Sequence, residues 1–322
     1  MQNYTLLIIA CIISSSFSKD MLLVINYQND FLIGGPMSNP DTPANRDAQN
    51  FVTTNLPVVI DLFKNDKIVV SADSHPANHI SFLSTHIRLN EGISKNLNYL
   101  GSTFNKDDLK FVQIIYDGHS INSKLPEDQR NQIAEMSYGM TIGFDDYYCT
   151  GVDQYLYPDH CIEGTAGSNI ESTVQTAIDS ANKVRPVLEV KLGTNKNTDD
   201  LGLLQNEVEE YHTDFKEELA SNEYNKIYLT GAFMEFTVIN TAKQIMRHYP
   251  DFEVYIVEDL TLSLMDKTEA IQRLKESYPT LKFIDFNTLK SQKRRRMRRR
   301  RMLTTARANR RRRRNRRRRR IL

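Results

Sequence analysis

Cysteine is scarce, with 3 residues in 322, and one of them, Cys11, lies in an N-terminal apolar run. Cys149 and Cys161 remain, too few to build a fold on disulfides, and their spacing leaves open whether they pair in an oxidising compartment. Long hydrophobic runs are missing as well: no segment approaches the ~20 residues of a membrane-spanning helix. The stretch Leu6–Ile13 has the length of a signal-peptide core, and the small residues Ser16 and Ser18 suit cleavage before Lys19. Lys and Arg are absent ahead of Lys19, so only the α-amino group supplies the positive charge that such a leader carries. The competing reading of the stretch is a first buried strand or helix. Taken as a leader, residues 1–18 are a signal peptide and the protein is secreted or lumenal; otherwise a nuclear location is the alternative. No internal repeat is present.

Acidic residues are absent from the other end. Residues 293–322 contain no Asp or Glu but 19 basic side chains, Lys293 and 18 Arg. Of the 42 basic residues this leaves 23 in the rest of the chain, against 40 acidic ones, a net charge there of −17. The overall +2 therefore averages an acidic globule and a polycationic tail. The clusters Arg294–Arg296, Arg298–Arg301, Arg310–Arg314 and Arg316–Arg320 have no acidic or aromatic residue between them. Such a segment neutralises many phosphates or sulfates at once, with strong salt dependence and little sequence selectivity. A polyanion or anionic surface is the expected partner of 293–322: lipid headgroups, polysaccharides or acidic proteins in a secretory setting, nucleic acid in a nucleus. The plainer readings are an extension without a dedicated partner, or one that folds back on the acidic body. Charge repulsion predicts disorder over 289–322.

What the chain does have is a core. Hydrophobic residues make up 40% and aromatics 9%, enough to fold a domain over 19–288. Short β-branched runs recur at Met21–Ile25, Lys67–Ser71, Phe111–Tyr116, Val187–Val190, Ile227–Thr230, Glu253–Val257 and Leu281–Ile284. Unalternated runs of this kind suit strands buried on both faces. Between them, Ile170, Val174, Ala177, Ile178 and Ala181 share a helical face, and Leu204, Val208, Tyr211, Phe215 and Leu219 share another. Thr237–Tyr249 and Thr268–Tyr278 also read as helices. Strand–helix alternation predicts an α/β three-layer sandwich, a mainly parallel central sheet with helices on both faces. Its sites are expected at the carboxyl ends of the strands. Residues 83–156 break the rhythm, being polar with one convincing strand, and read as a long insertion.

Several residues at the predicted strand ends carry chemistry. Asp73 and His75 are two apart, so on an extended segment they face one side. His160, from a later loop, completes a set of two histidines and one carboxylate, which leaves coordination positions open on a bound metal. Taken singly, Asp73 reads as a turn cap and the histidines as ordinary polar residues. His79 reads as a supporting loop residue.

Four segments occur in the order of a known family: LLVINYQNDFL at 22–32, ADSHPANHISF at 72–82, YPDHCIEGTAGS at 157–168 and IYLTGAFMEFTVINTA at 227–242. With the strand VLEVKLG at 187–193, they make the chain resemble the nicotinamidase/pyrazinamidase branch of the isochorismatase-like hydrolases over about 21–285, the insertion aside. The resemblance implies a divalent metal on Asp73, His75 and His160, zinc first, with iron or manganese as alternatives. It also implies a small aromatic amide such as nicotinamide as substrate, Phe31 packed beside its ring, and a cis peptide at Ala232–Phe233 near the oxyanion donors. Lys191 matches the family's catalytic lysine; read without the resemblance, it is a surface lysine at a strand end. Asp30 matches an acid that holds the loop, and Cys161 follows the metal histidine without being the nucleophile.

The chain departs from the family at two positions. The nucleophilic cysteine is Thr237, whose hydroxyl is a far weaker acid than a thiol. The base, an aspartate in the family, is Asn26, whose amide cannot take a proton at neutral pH. Loss of a positioned base alone costs about 10²–10⁴-fold. The expectation is a nicotinamidase-like metal-binding protein with weak or no turnover, or a non-catalytic pocket-binding protein anchored through its tail. The stretch 193–202 matches nothing in the family pattern, which puts the pocket's shape in question.

Overall fold

The computed structural model describes residues 19–82 except 40 and 80, the strand segments within 96–116, residues 152–299 except 197–198, 201, 207–210, 222–223 and 265–266, and positions 302 and 305. The expected leader, most of the expected insertion, Cys149 and the arginine clusters beyond 300 lie outside these residues.

The apolar runs become a sheet. β1 (Lys19–Ile25), β2 (Lys67–Asp73), β7 (Leu188–Leu192), β8 (Tyr224–Gly231), β9 (Glu253–Thr261) and β10 (Lys282–Ile284) form six strands in the order β10-β9-β8-β1-β2-β7. Every pairing is parallel. β1, at the centre, shows why its sequence is unalternated: Leu22 and Val24 enter the core on one face, Met21, Leu23 and Ile25 the core on the other. Helices cover both faces. On the first lie α1 (Pro43–Phe63), α2 (Ser172–Asn182) and a C-terminal helix over 286–299, numbered α6. On the second lie α3 (Thr213–Ala220), α4 (Ile239–His248) and Ile271 of α5 (Lys267–Ser277). The expected three-layer α/β sandwich is therefore present, with the sheet wholly parallel. Among the described residues no helix is long and apolar enough to cross a membrane.

Four local expectations change. The 21-residue α1 is absent from the sequence reading, since Pro57 interrupts it; an interior proline normally breaks a helix. Here Val52, Leu56, Val59, Ile60 and Phe63 are all buried, Thr42 caps the start and Pro43 sits in its first turn, and tertiary burial overrides the breaker. The helix expected from Leu204 to Leu219 is only α3. Leu203 and Leu204 donate their N–H groups to Thr241 Oγ1 and Gln244 Oε1 of α4, and Gln205 bridges Tyr211 antiparallel, so Leu204 and Gln205 stand outside a helix. Among its described residues the insertion holds not one but four short strands, paired antiparallel as β3 (Asn96–Tyr99) with β4 (Ser102–Asn105) and β5 (Val112–Tyr116) with β6 (Val152–Leu156). Finally, the boundary expected at 288 falls inside α6, whose Leu289 and Lys293 are buried.

Candidate metal centre and pocket

The carboxyl ends of β1, β2 and β8 converge on one cavity of about 40 Å³. Its walls are Phe31, Met37, Asp73, His75, Ser81, Tyr157, His160, Asp199, Asp200, Ala232, Phe233, Phe236 and Thr237. Asp73 ends β2 and is held by its neighbours. Gln28 donates its side-chain N–H to the Asp73 carbonyl at 2.7 Å and accepts the Asp73 N–H at 2.7 Å. Asn26 donates Nδ2–H to Asp73 Oδ1 at 2.8 Å. That leaves Oδ2 facing His75 Nε2 at 3.7 Å and His160 Nε2 at 3.9 Å.

The histidine tautomers follow from their partners. His75 Nδ1 lies 3.1 Å from the Gly193 carbonyl and His160 Nδ1 2.8 Å from the Pro158 carbonyl. A carbonyl only accepts, so each Nδ1 carries the proton and each Nε2 presents a lone pair towards Asp73. This is the orientation in which metal-bound imidazoles are held from behind. Burial pushes His75 down to about 4 and His160 to about 3, keeping both neutral at pH 7. Burial raises Asp73 to about 6, against the lowering effect of His160. The three donor atoms lie within 4.8 Å of one another, a spacing that an ion with bonds of about 2.0–2.2 Å can bridge. Gly193 has φ +63, and a Cβ there would lie 2.1 Å from His75; the absence of a side chain lets the ring reach its carbonyl.

His75, His79 and Asp199 form a second grouping of the same kind, but its chemistry differs. His79 Nδ1 accepts the Ser81 N–H at 3.3 Å and lies 2.7 Å from Ser81 Oγ. In the neutral ring this puts the proton on Nε2, making it a donor beside the Asp199 carboxylate and not a ligand. Burial raises Asp199. The supporting role expected of His79 agrees with this geometry.

The two positions at which the sequence departs from the expected pattern lie together. Asn26 Oδ1 accepts from Ser71 Oγ at 2.6 Å, and its Nδ2 lies 3.5 Å from Thr237 Oγ1. Thr237 is nearly buried, in the π-turn Met234–Val238 after β8. Ala232–Phe233 is cis. Phe31 packs edge-on to Phe233 at 5.6 Å and tilted against His160 at 5.5 Å, so the three expected substrate-contact residues meet at the cavity.

Lys191 does not join them. It is on the open side of β7, an edge strand, 65% exposed and 3.8 Å from Glu163. The sequence expectation of a lysine in the site is corrected by the pleat: Val190 and Leu192 point inward and Lys191 outward. None of the described residues lining the cavity is a lysine or arginine.

Cys161 is a buried free thiol whose pKa burial raises well above the usual range, so it stays protonated. Its N–H donates to Asp30 Oδ2 at 2.6 Å, and Gly167 packs so closely on that carboxylate that a Cβ would lie 2.2 Å from it. Asp30 thus holds the His160 loop. Sequence reasoning missed Gln28, Tyr157, Phe236, Asp199 and Asp200. The two acids stand in the unmatched stretch after β7, and their signal was their place beyond a strand's carboxyl end.

The sequence matches no family model. It is 21% identical over 260 residues to the nicotinamidase of Saccharomyces cerevisiae, spanning 79% of this chain and 93% of that protein. The structure of yeast nicotinamidase bound to the inhibitor nicotinaldehyde superposes with a TM-score of 0.56 at 18% identity, over 83% of this chain and 99% of that one. A nicotinamidase/pyrazinamidase of Acinetobacter baumannii gives 0.55 at 18%, over 84% and 98%. The chain thus shares the fold of these two nicotinamidases. Within it, the resemblance to the nicotinamidase/pyrazinamidase branch read from the motifs is borne out by these neighbours.

Proposed function

We propose that this protein binds a divalent metal on Asp73, His75 and His160 and does not carry out the cysteine-dependent hydrolysis of nicotinamide. The observation that carries this reading is the Asn26 amide. It donates to Asp73 and sits beside Thr237, where the reaction needs a base able to take a proton from a thiol. Two further features support it. Among the described residues the cavity has no lysine or arginine to stabilise developing negative charge, and its volume of about 40 Å³ is far below the roughly 300–1,000 Å³ of ordinary ligand pockets. The donor set of two imidazoles and one carboxylate suits zinc first, then iron or manganese. The metal would supply Lewis acidity and hold a water.

A second reading is favoured by one observation: Thr237 lines the same cavity as the donor set. There, weak metal-assisted hydrolysis of a small aromatic amide such as nicotinamide would persist. Ammonia release from nicotinamide by the zinc-loaded full chain separates the two. No release above the metal-only blank is expected, whereas turnover of about 1 s⁻¹ or more, an ordinary enzymatic rate, would overturn the first reading.

A further inference from the structure

Opposite the cavity, at the amino ends of the strands, α6 is fastened to the sheet by buried charge. Lys293 is 3% exposed and lies between Asp20 at the start of β1, 3.1 Å away, and Asp66 just ahead of β2. Its ammonium also sits 3.6 Å from the Phe63 ring centroid, a cation–π contact. Arg296, one turn on, pairs with Asp20 as well. Met297 turns inward against the first core. The residues that α6 turns outward here are Arg294, Arg295, Arg298 and Arg299, all exposed and without an ion-pair partner among the described residues. They stand at i and i+4, two rows with members about 6 Å apart along the axis.

We propose that this docked helix is a binding surface for a linear sulfated polysaccharide. The guanidinium fork offers two parallel N–H groups to one sulfate, and the fixed rows offer repeated forks to a chain lying along the helix. A broad anionic membrane is disfavoured on two counts. It would bring the acidic body, −17 outside 293–322, within a Debye length of a like-charged surface. In addition, Met297 is turned into the core, so the described part of the helix keeps no apolar stripe for the bilayer interface. Nucleic acid bound as single strands would use aromatic stacking, and 293–322 contains no aromatic residue. The leader expected at 1–18 points to a compartment where sulfated polysaccharides are met.

The test uses the full chain and a fluorescent heparin oligosaccharide, titrated at several salt concentrations beside a mixed-sequence DNA duplex of equal charge and phosphatidylserine vesicles. The oligosaccharide is expected to remain bound at salt concentrations that release both others. Duplex or vesicles outlasting it would overturn the assignment of partner. Replacing Arg294, Arg295, Arg298 and Arg299 by Gln should weaken binding at least tenfold and flatten the slope of log K against log salt by about 3.6, close to one unit per lost contact by the counterion-release argument. An unchanged slope would overturn the surface itself. The same four-for-four replacement at Arg316–Arg319, which begins 23 residues beyond Lys293 in the sequence, should cost less; equal losses would overturn the docked helix as the organising element. Thermal melts of each variant check folding. Should the quadruple helix variant unfold, the Arg295→Gln/Arg299→Gln pair carries the test, with an expected slope change of about 2.

Discussion

At the residue scale, Asn26 changes the logic of the site. An aspartate in its place would set two carboxylates against each other at the 2.8 Å contact with Asp73, and one of them would be driven towards its protonated form. The amide turns that contact into a hydrogen bond and leaves Asp73 Oδ2 to the histidines. Asp73→Ala should therefore abolish stoichiometric zinc in the purified protein, read by elemental analysis after dialysis; full retention would refute the assignment. Converting the pair, Asn26→Asp with Thr237→Cys, is expected to leave nicotinamide turnover undetectable in an ammonia assay. It restores a base and a nucleophile but supplies no cation, since Lys191 faces solvent. Turnover in that variant would show that these two positions alone had silenced the site.

At the element scale, β7 illustrates how far a one-residue alternation reaches. The strand pairs with β2 with Asp73 opposite Leu192, so its inward positions serve the core and its outward lysine meets water. The opposite side of the sheet carries a different electrostatic cluster. Glu253 at the start of β9 accepts from Lys282 of β10 and from the Tyr255 hydroxyl, which together hold its carboxyl down at about 2. A depressed folded-state value contributes stability above the ordinary pKa of 4.5, and the contribution disappears as pH falls through about 2. Because the side chain is 39% exposed, the gain is below about 1 kcal/mol. Urea denaturation should find Glu253→Gln slightly less stable than the parent at neutral pH, with the gap closing as pH is lowered from 4.5 towards 2. A gap independent of pH would point to packing in place of charge.

At the scale of the whole molecule, the sheet separates two ends: the carboxyl ends carry the neutral-histidine pocket and the amino ends the anchored basic helix. The anchor is a buried ion cluster, so its two kinds of substitution should differ. Lys293→Met removes the ammonium shared by Asp20 and Asp66, 2% and 4% exposed, and is expected to cost about 3–5 kcal/mol in chemical denaturation. The triple change Asp20→Asn/Asp66→Asn/Lys293→Met removes these three charges together, leaving only the part-exposed Arg296, and should regain most of that loss. If the triple variant is no more stable than Lys293→Met, the cluster is not acting as a unit.

The sequence by itself determined the layered architecture, because strands buried on both faces need unalternated apolar runs and leave that record locally. It also marked the candidate donor residues, because Asp73, His75 and His160 occur in motifs whose order survives, and it placed Asn26 and Thr237 beside them in the proposed reading. Tertiary structure alone decided three things. The pleat of an edge strand turned Lys191 away from the site; backbone carbonyls and the Ser81 amide fixed which histidine nitrogens can bind a metal; and two aspartates more than 200 residues distant in sequence from Lys293 drew the first part of the basic segment into the fold. Each depends on groups far apart in the chain, whose contacts no local pattern of residues encodes.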